Sequence, residues 1–303
     1  MKLKHRWTKG ELLAQLPLHV MLIPGIIVTL IFCYVPLYGL VIAFQDYNPA
    51  TMFHSPWVGF ENFRYVFQLP GFVQTIWNTF FIAVCKIIGG LIFPITFSLL
   101  LNEIGNGKFK RFFQTLIYLP NFLSWVIVAG LLIDILSTDG ILNEFLGFFG
   151  VDPIFFLGDT FWFPIVMVAS DVWKSFGFGT VVYLASLTSI DPTLYEVATV
   201  DGAGRWKQTI HITLPGMLPI IVLMTVLSLG NVLNAGFDQI FNLYSPIVYD
   251  TGDIIDTFVY RLGIEQAQYS AATAVGIFKS AISLVLISLS YFLADRLAGY
   301  RIF

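Results

Sequence analysis

Charge is scarce in this sequence. Only 12% of its 303 residues are Asp, Glu, Lys or Arg, about half the share found in a soluble domain. The net charge of −3 provides no basic face for nucleic acid. Cysteine is nearly missing: Cys33 and Cys85 both lie inside apolar runs, so no disulfide framework is expected. The four histidines, His5, His19, His54 and His211, are scattered, and no Cys/His spacing suits a metal. A phosphate-binding Gly-x-x-x-x-Gly-Lys-Ser/Thr loop is also lacking. Gly105-Asn106-Gly107-Lys108 only echoes it and is followed by Phe109, so no cofactor is expected on this chain. Internal repeats, low-complexity tracts and a soluble domain are not evident.

Apolar residues fill the space that charge leaves: 57% of the chain is hydrophobic and 17% aromatic, with a mean hydropathy of +0.79. A soluble fold of this length cannot hide so much apolar surface, whereas lipid tolerates it. Six runs are long enough to cross a bilayer, which takes about 20 residues: roughly 18–44, 73–101, 112–136, 161–188, 215–236 and 269–294. The first follows a charged start (Lys2, Lys4, His5, Arg6, Lys9) but is too long for the apolar core of a signal peptide, so it is read as a retained span. Breaks such as Pro24, Pro36, Gly89, Gly90, Pro94 and Gly130 are tolerated where neighbouring helices satisfy the freed backbone. The small-residue stretch Ser270 to Gly276 offers a face for close helix contact. The expected fold is all-α, a polytopic membrane bundle of six transmembrane helices.

Lys and Arg set the expected orientation. Lys2, Lys4, Arg6, Lys9, Lys108, Lys110, Arg111, Arg205, Lys207, Arg296 and Arg301 fall on the side holding both termini; only Arg64 and Arg261 fall opposite. The positive-inside rule then makes both termini cytoplasmic. Residues 1–17 form a cytoplasmic N-terminal segment, 18–294 the transmembrane domain and 295–303 a cytoplasmic tail. The outer segments lie near 45–72, 137–160 and 237–268. Trp57, Tyr65, Trp77 and Trp162 are candidate interface anchors.

One cytoplasmic stretch is patterned unlike a plain connector. In residues 191–215, Asp191-Pro192-Thr193 reads as a helix opening. Leu194, Val197, Ala198 and Val200 follow as an apolar stripe, with Glu196 near the positive helix end. Asp201-Gly202-Ala203-Gly204 breaks that helix, Arg205 starts another, and Leu214-Pro215 enters the fifth span. This elbow resembles the EAA coupling motif of ABC importer permeases. Glu196, Ala198, Asp201, Gly202, Ala203, Ile212, Leu214 and Pro215 match it, and Val197 stands where Ala is commonest. The resemblance extends to Trp57 through Phe63, Gly236 through Ile240, Asp256 through Gly263 and Tyr269 through Gly276. These resemble the maltose-permease-like carbohydrate group, and within it an LplB-like, polygalacturonan-type branch. It implies a permease subunit of an ATP-driven importer in the bacterial cell (inner) membrane, whose elbow docks on a separate ATPase that uses ATP and Mg. Further implied partners are a second homologous permease, two ATPase subunits in all, an extracytoplasmic solute-binding protein, a carbohydrate and the lipid bilayer, with no nucleic acid. The ABC signature sequence is missing, so no enzyme activity is expected here. The main alternative is an ion-coupled secondary transporter, for which paired repeats would be expected; an intramembrane enzyme would need a catalytic constellation that is not visible.

Charges inside spans are costly and tend to face a bundle interior. Lys86, Asp171, Lys174 and Lys279 are the four. Asp171 and Lys174, three apart on one helix, are expected either to pair or to line a pathway together with Trp173 and Tyr183. Asn231, Asn234 and Asp238 form a polar stripe closing the fifth span; Asn231 and Asn234 share a helical face. For Lys86 and Lys279, snorkelling or bundle packing is the expected role. Three lysines against one aspartate leave a lysine for which a substrate carboxylate would be a transient partner, pointing to an acidic, uronate-containing oligosaccharide; a neutral one is compatible too, because Lys also donates to hydroxyls.

Overall fold

The computed structural model describes residues 9–104 and 107–298; residues 1–8 and 299–303 of the expected terminal segments lie outside the described residues. Among the described residues six helices are long and apolar enough to span a membrane: Leu16–Phe44, Phe72–Glu103, Trp125–Gly147, Trp162–Leu187, Arg205–Gly230 and Tyr269–Phe292. The described residues contain α1 (Lys9–Thr29), α2 (Glu61–Gln68), α3 (Phe72–Glu103), α4 (Lys108–Tyr118), α5 (Trp125–Leu136), α6 (Ile141–Gly147) and α7 (Trp162–Leu187). There follow α8 (Pro192–Val200), α9 (Arg205–Gln208), α10 (Leu214–Gly230), α11 (Phe237–Leu243), α12 (Tyr249–Gly252), α13 (Ile255–Tyr260) and α14 (Tyr269–Ala298). No strand occurs among them, and a single bridge joins Gln45 to Trp57. Helices dominate because every backbone donor and acceptor in lipid must be satisfied within the chain.

Two span boundaries differ from the sequence reading. The run 112–136 is not one helix: α4 ends at Tyr118, a 3₁₀ turn holds Leu119–Phe122, and α5 starts at Trp125, where the Ser124 side chain accepts from the Ile127 N–H. Pro120 lacks an N–H and cannot carry the α-helical ladder through. The fifth span runs further back, from α9 through a π turn (Thr209–Thr213) into α10, and it stops at Gly230, so 231–236 lie outside the helix.

The centre of the bundle is the packing of α3 on α7. A Cβ on Gly89 would lie 2.5 Å from Val172 Cγ2, and one on Gly177 would lie 1.9 Å from the Ile117 carbonyl oxygen. Small residues at these points let helices approach to backbone contact. Around this contact, Ile82, Ala83, Phe163, Met167, Val232, Leu233 and Ile240 form one core. A second joins α2, α3, α13 and α14 through Val66, Phe72, Phe258, Leu262, Ala271, Ala272 and Val275. The expected close-contact face of the last span is thus occupied. The first span behaves oppositely: only 6% of its apolar window is buried.

The outer segments are organised by buried polar side chains. Asn62 Nδ2 donates to the carbonyls of Ala43 and Gln45 at 2.9 Å, closing the turn after the first span, and Phe44 packs on Trp57, Phe60 and Phe63. Further on, Asp253 is 3% exposed. It receives Arg261 at 2.5 Å and Thr257 at 2.7 Å. Asn78 Nδ2 donates to the carbonyls of Asp250 and Asp253, and the Ile255 N–H donates to Thr79 Oγ1. Burial pulls the Arg261 guanidinium pKa down, but the Asp253 carboxylate outweighs it and the net shift is upward. Arg261 is also held over the Tyr249 ring, 4.3 Å from its centroid.

Candidate functional site

Two places combine unusual geometry with exposed chemistry: the elbow after α7 and a polar cavity beside the end of α10.

The elbow forms as its residues dictate. Asp191 caps α8, its carboxylate accepting from the Thr193 N–H at 2.9 Å, and Pro192 occupies the first turn. At the other end Gly202 takes φ +77°. Its N–H reaches the Thr199 carbonyl, and the Ala203 N–H reaches the Ala198 carbonyl at 2.8 Å. This is a Schellman ending, whose left-handed residue is favoured as Gly. Gln208 Nε2 then bonds Thr199 Oγ1 and the Ala203 carbonyl, both at 3.0 Å, and Tyr195 bonds Thr213, fixing α8 against α9. Arg205 pairs with Glu103 at 2.9 Å, tying the elbow to the end of α3. Neither α8 nor α9 contains a buried residue. Val197, Val200 and Trp206 are 61%, 87% and 76% exposed. Glu196, Asp201 and Pro215 are exposed, while Ala198, Ala203 and Leu214 are half-buried.

The cavity, of about 440 Å³, lies between α3, α7 and the segment after α10; Lys86, Asp171, Ser175, Ser228, Asn231 and Asn234 are among its walls. Lys86, 9% exposed, donates to the Ala235 carbonyl at 2.6 Å and to Gln239 Oε1, and its ammonium stands 3.6 Å from Asp171 Oδ1. Gln239 is fully buried and donates to the Met167 carbonyl and to Ser170 Oγ. On the other flank, Lys279 donates to Asn234 Oδ1 at 3.0 Å and to Asp256 Oδ1 at 2.5 Å.

This geometry corrects several expectations. Asp171 does not pair with Lys174; its partner is Lys86 on α3. Lys174 turns to the break between α4 and α5, donating to the Asn121 carbonyl at 3.1 Å and standing 5.3 Å from the Trp125 ring. Trp173, two residues from Asp171, lies on the opposite face of α7 and lines a separate apolar groove of about 950 Å³ with Phe81, Phe97 and Phe176. Tyr183 is 1% exposed and packs with Leu187 and Met217 rather than at the cavity. Asn231 and Asn234 do not share a helical face, because α10 has ended; a turn brings Asn234 Nδ2 to Asn231 Oδ1 at 3.3 Å, and both line the cavity. Asp238 is exposed on the first turn of α11, apart from the cavity walls. Neither Lys86 nor Lys279 snorkels, since each has a carboxylate inside the protein. Sequence reasoning passed over Gln239, Ser170 and Asp256. Gln239 and Asp256 lie in stretches that carry the family resemblance, but no spacing rule links position 256 to 279.

Comparison with known proteins fits this architecture. The family described as "Binding-protein-dependent transport system inner membrane component" matches residues 90–299. The polygalacturonan/rhamnogalacturonan transport system permease protein YteP of Bacillus subtilis (strain 168) is 42% identical over 288 residues, covering 94% of this chain and 90% of that protein. Protein LplB of the same organism is 39% identical over 281 residues, covering 92% and 88%. Among solved structures, a chain of a bacterial ABC transporter involved in the import of the acidic polysaccharide alginate superposes with a TM-score of 0.88 at 39% identity, covering 95% of this chain and 98% of its own length. A bacterial alginate ABC transporter in complex with an alginate pentasaccharide-bound periplasmic protein gives a TM-score of 0.87, also at 39% identity, covering 95% and 96%.

Proposed function

The chain belongs to the family of binding-protein-dependent transport inner membrane components, and from that premise we propose that it forms one half of an oligosaccharide pathway in an ATP-driven importer. It is a permease subunit, not an enzyme, and the family leaves the ion-coupled alternative without support. The observation that carries the pathway reading is the polar cavity inside an apolar bundle. Asp171, Ser175, Asn231 and Asn234 offer carboxylate, hydroxyl and amide groups, the donors and acceptors that match sugar hydroxyls. Asn231 and Asn234 are the proposed sugar contacts. ATP and Mg act on a separate ATPase, two copies of which take up the elbows of this chain and of a second permease. Glu196, Ala198, Asp201, Gly202, Ala203, Leu214 and Pro215 shape the docking elbow. A solute-binding protein delivers substrate to the outer segments, and both termini are cytoplasmic. An acidic oligosaccharide is the substrate that the relatives' names favour. The cavity walls are neutral on that point, because both lysines beside it already hold carboxylates.

The test is uptake by vesicles holding the full transporter. Uptake must need ATP and the partner ATPase, and Asn234→Ala must impair it; uptake driven by an ion gradient without ATP would overturn the proposal. Orientation is checked with a cysteine at position 207 or 152 after replacing Cys33 and Cys85; position 152 lies between the spans that end at Gly147 and start at Trp162. An impermeant thiol reagent applied to whole cells should label 152 and spare 207, and the reverse pattern would invert the topology.

A further inference from the structure

A run of six non-helical residues interrupts the bundle directly after α10, and it is held from two sides by lysines. Backbone outside a helix at membrane depth persists only where protein or a water-filled cavity satisfies it. Here Lys86 reaches the Ala235 carbonyl, the neighbouring Gly236 takes φ +95°, and a Cβ there would stand 2.8 Å from Lys86 Nζ. The amine therefore fills the space that any larger residue at 236 would need. Gln239, itself fixed to Met167 and Ser170 on α7, holds the same amine, and Asp171 supplies the countercharge. Lys86 and Gln239 are almost wholly buried, while Asn231 and Asn234, on the same run of chain, are exposed to the cavity.

We infer that Lys86 and Gln239 are positioning residues: they fix the 231–236 segment on α3 and α7 so that Asn231 and Asn234 face the pathway. The inference rests on the pathway reading above. Lys86 touches no substrate in this scheme. Its work is done through the Ala235 carbonyl, whose placement decides where the asparagines stand. On the cavity side, the bond from Lys279 to Asn234 is more exposed, so it is the contact that a passing ligand can exchange, while the Lys86 side stays fixed.

The test uses the complete transporter in proteoliposomes and reads sugar moved per ATP hydrolysed. That ratio does not depend on how much complex folds. Lys86→Met should lower it about tenfold, the equivalent of one hydrogen bond to a charged group. The double variant Lys86→Met/Asp171→Asn removes the stranded carboxylate and should recover the amount of assembled complex; because Asp171 also lines the cavity, its ratio is read against Asp171→Asn alone and should stay below it. If neither assembles, Gly236→Ala crowds the amine and strains the backbone at φ +95° without removing charge; both effects shift the 231–236 segment, and the ratio should fall. A normal ratio, with transport and hydrolysis falling together, would make Lys86 purely structural and overturn the inference. Asn231→Ala and Asn234→Ala run alongside. If they lower the ratio and the Lys86 and Gly236 variants do not, the pathway stands and the positioning role falls; if the asparagine variants change nothing, the pathway reading itself fails.

Discussion

The segment around Asp253 and the elbow around Gly202 are built from similar numbers of short helices, yet they handle their side chains in opposite ways. Between Gly252 and Phe258 nearly every residue is buried, and the polar groups are bonded to α3, to Arg261, to Lys279 on α14 or to one another. In α8 and α9 nothing is buried, and Val197, Val200 and Trp206 stand free. The backbone of the elbow is nonetheless well determined, with a capped start, a Schellman end and side-chain bonds between its two helices. Fixed backbone with unburied apolar side chains is what the proposed docking role of the elbow requires, whereas the Asp253 segment completes the fold itself.

Substitutions can break this contrast, and the largest effect belongs to the buried end. Asp253→Ala would strand Arg261 and should cost about 3–5 kcal/mol, the usual penalty for removing one member of a buried pair. Thermal unfolding in detergent measures it, and a loss under 1 kcal/mol would mean that the network is not structural. Next comes Gly202→Pro. Proline fixes φ near −65° where the elbow needs +77° and removes the N–H that bonds the Thr199 carbonyl, so the turn cannot form, at a cost of about 3 kcal/mol; ATPase stimulation and transport should vanish while insertion persists. Normal stimulation in the reconstituted complex would remove Gly202 from the coupling surface. Smaller still in stability is Val200→Asp. At an exposed position it should change unfolding by no more than about 0.5 kcal/mol, yet it should abolish association with the ATPase in pull-down. Association at wild-type strength would show that this face meets no partner.

The smallest effect concerns pH. The Thr193 N–H holds the Asp191 carboxyl below its ordinary value. A depressed folded-state pKa means that the cap is present above the unfolded pKa and is lost as pH falls through the folded one. Amide exchange in the first turn of α8 should therefore be unchanged near neutrality and accelerate only below the normal carboxylate range. Asp191→Asn, which retains an acceptor, should abolish that acid dependence; persistence of the dependence in the variant would assign it to another group.

Much of this protein was legible from order along the chain. Six apolar runs, the Asp191–Pro192 start, the glycine break and the match to the coupling motif all depend on neighbours within a few residues, where helical periodicity and capping chemistry act. The cavity residues are legible only in part. Asp171, Asn231 and Asn234 stand out in the sequence as polar groups within or beside apolar runs, where such residues need partners, and the structure places all three on the cavity wall. Which partners they have was a matter of packing. Lys86 lies 85 positions from Asp171 along the chain, and α7 turns Asp171 to one cavity and Trp173 to the opposite groove. Local spacing suggested Lys174 for Asp171; the approach of α3 to α7 supplied Lys86 instead, and a carboxylate from outside the spans, Asp256, reached Lys279. Order along the chain thus suffices for the number of spans and for the elbow, whose caps and turn rest on near neighbours, and its motifs carry the family resemblance; the break at Pro120 and the end of α10 at Gly230 do not follow from it. Which charges neutralise one another and which amides face the cavity depend on how helices distant in sequence rotate and pack.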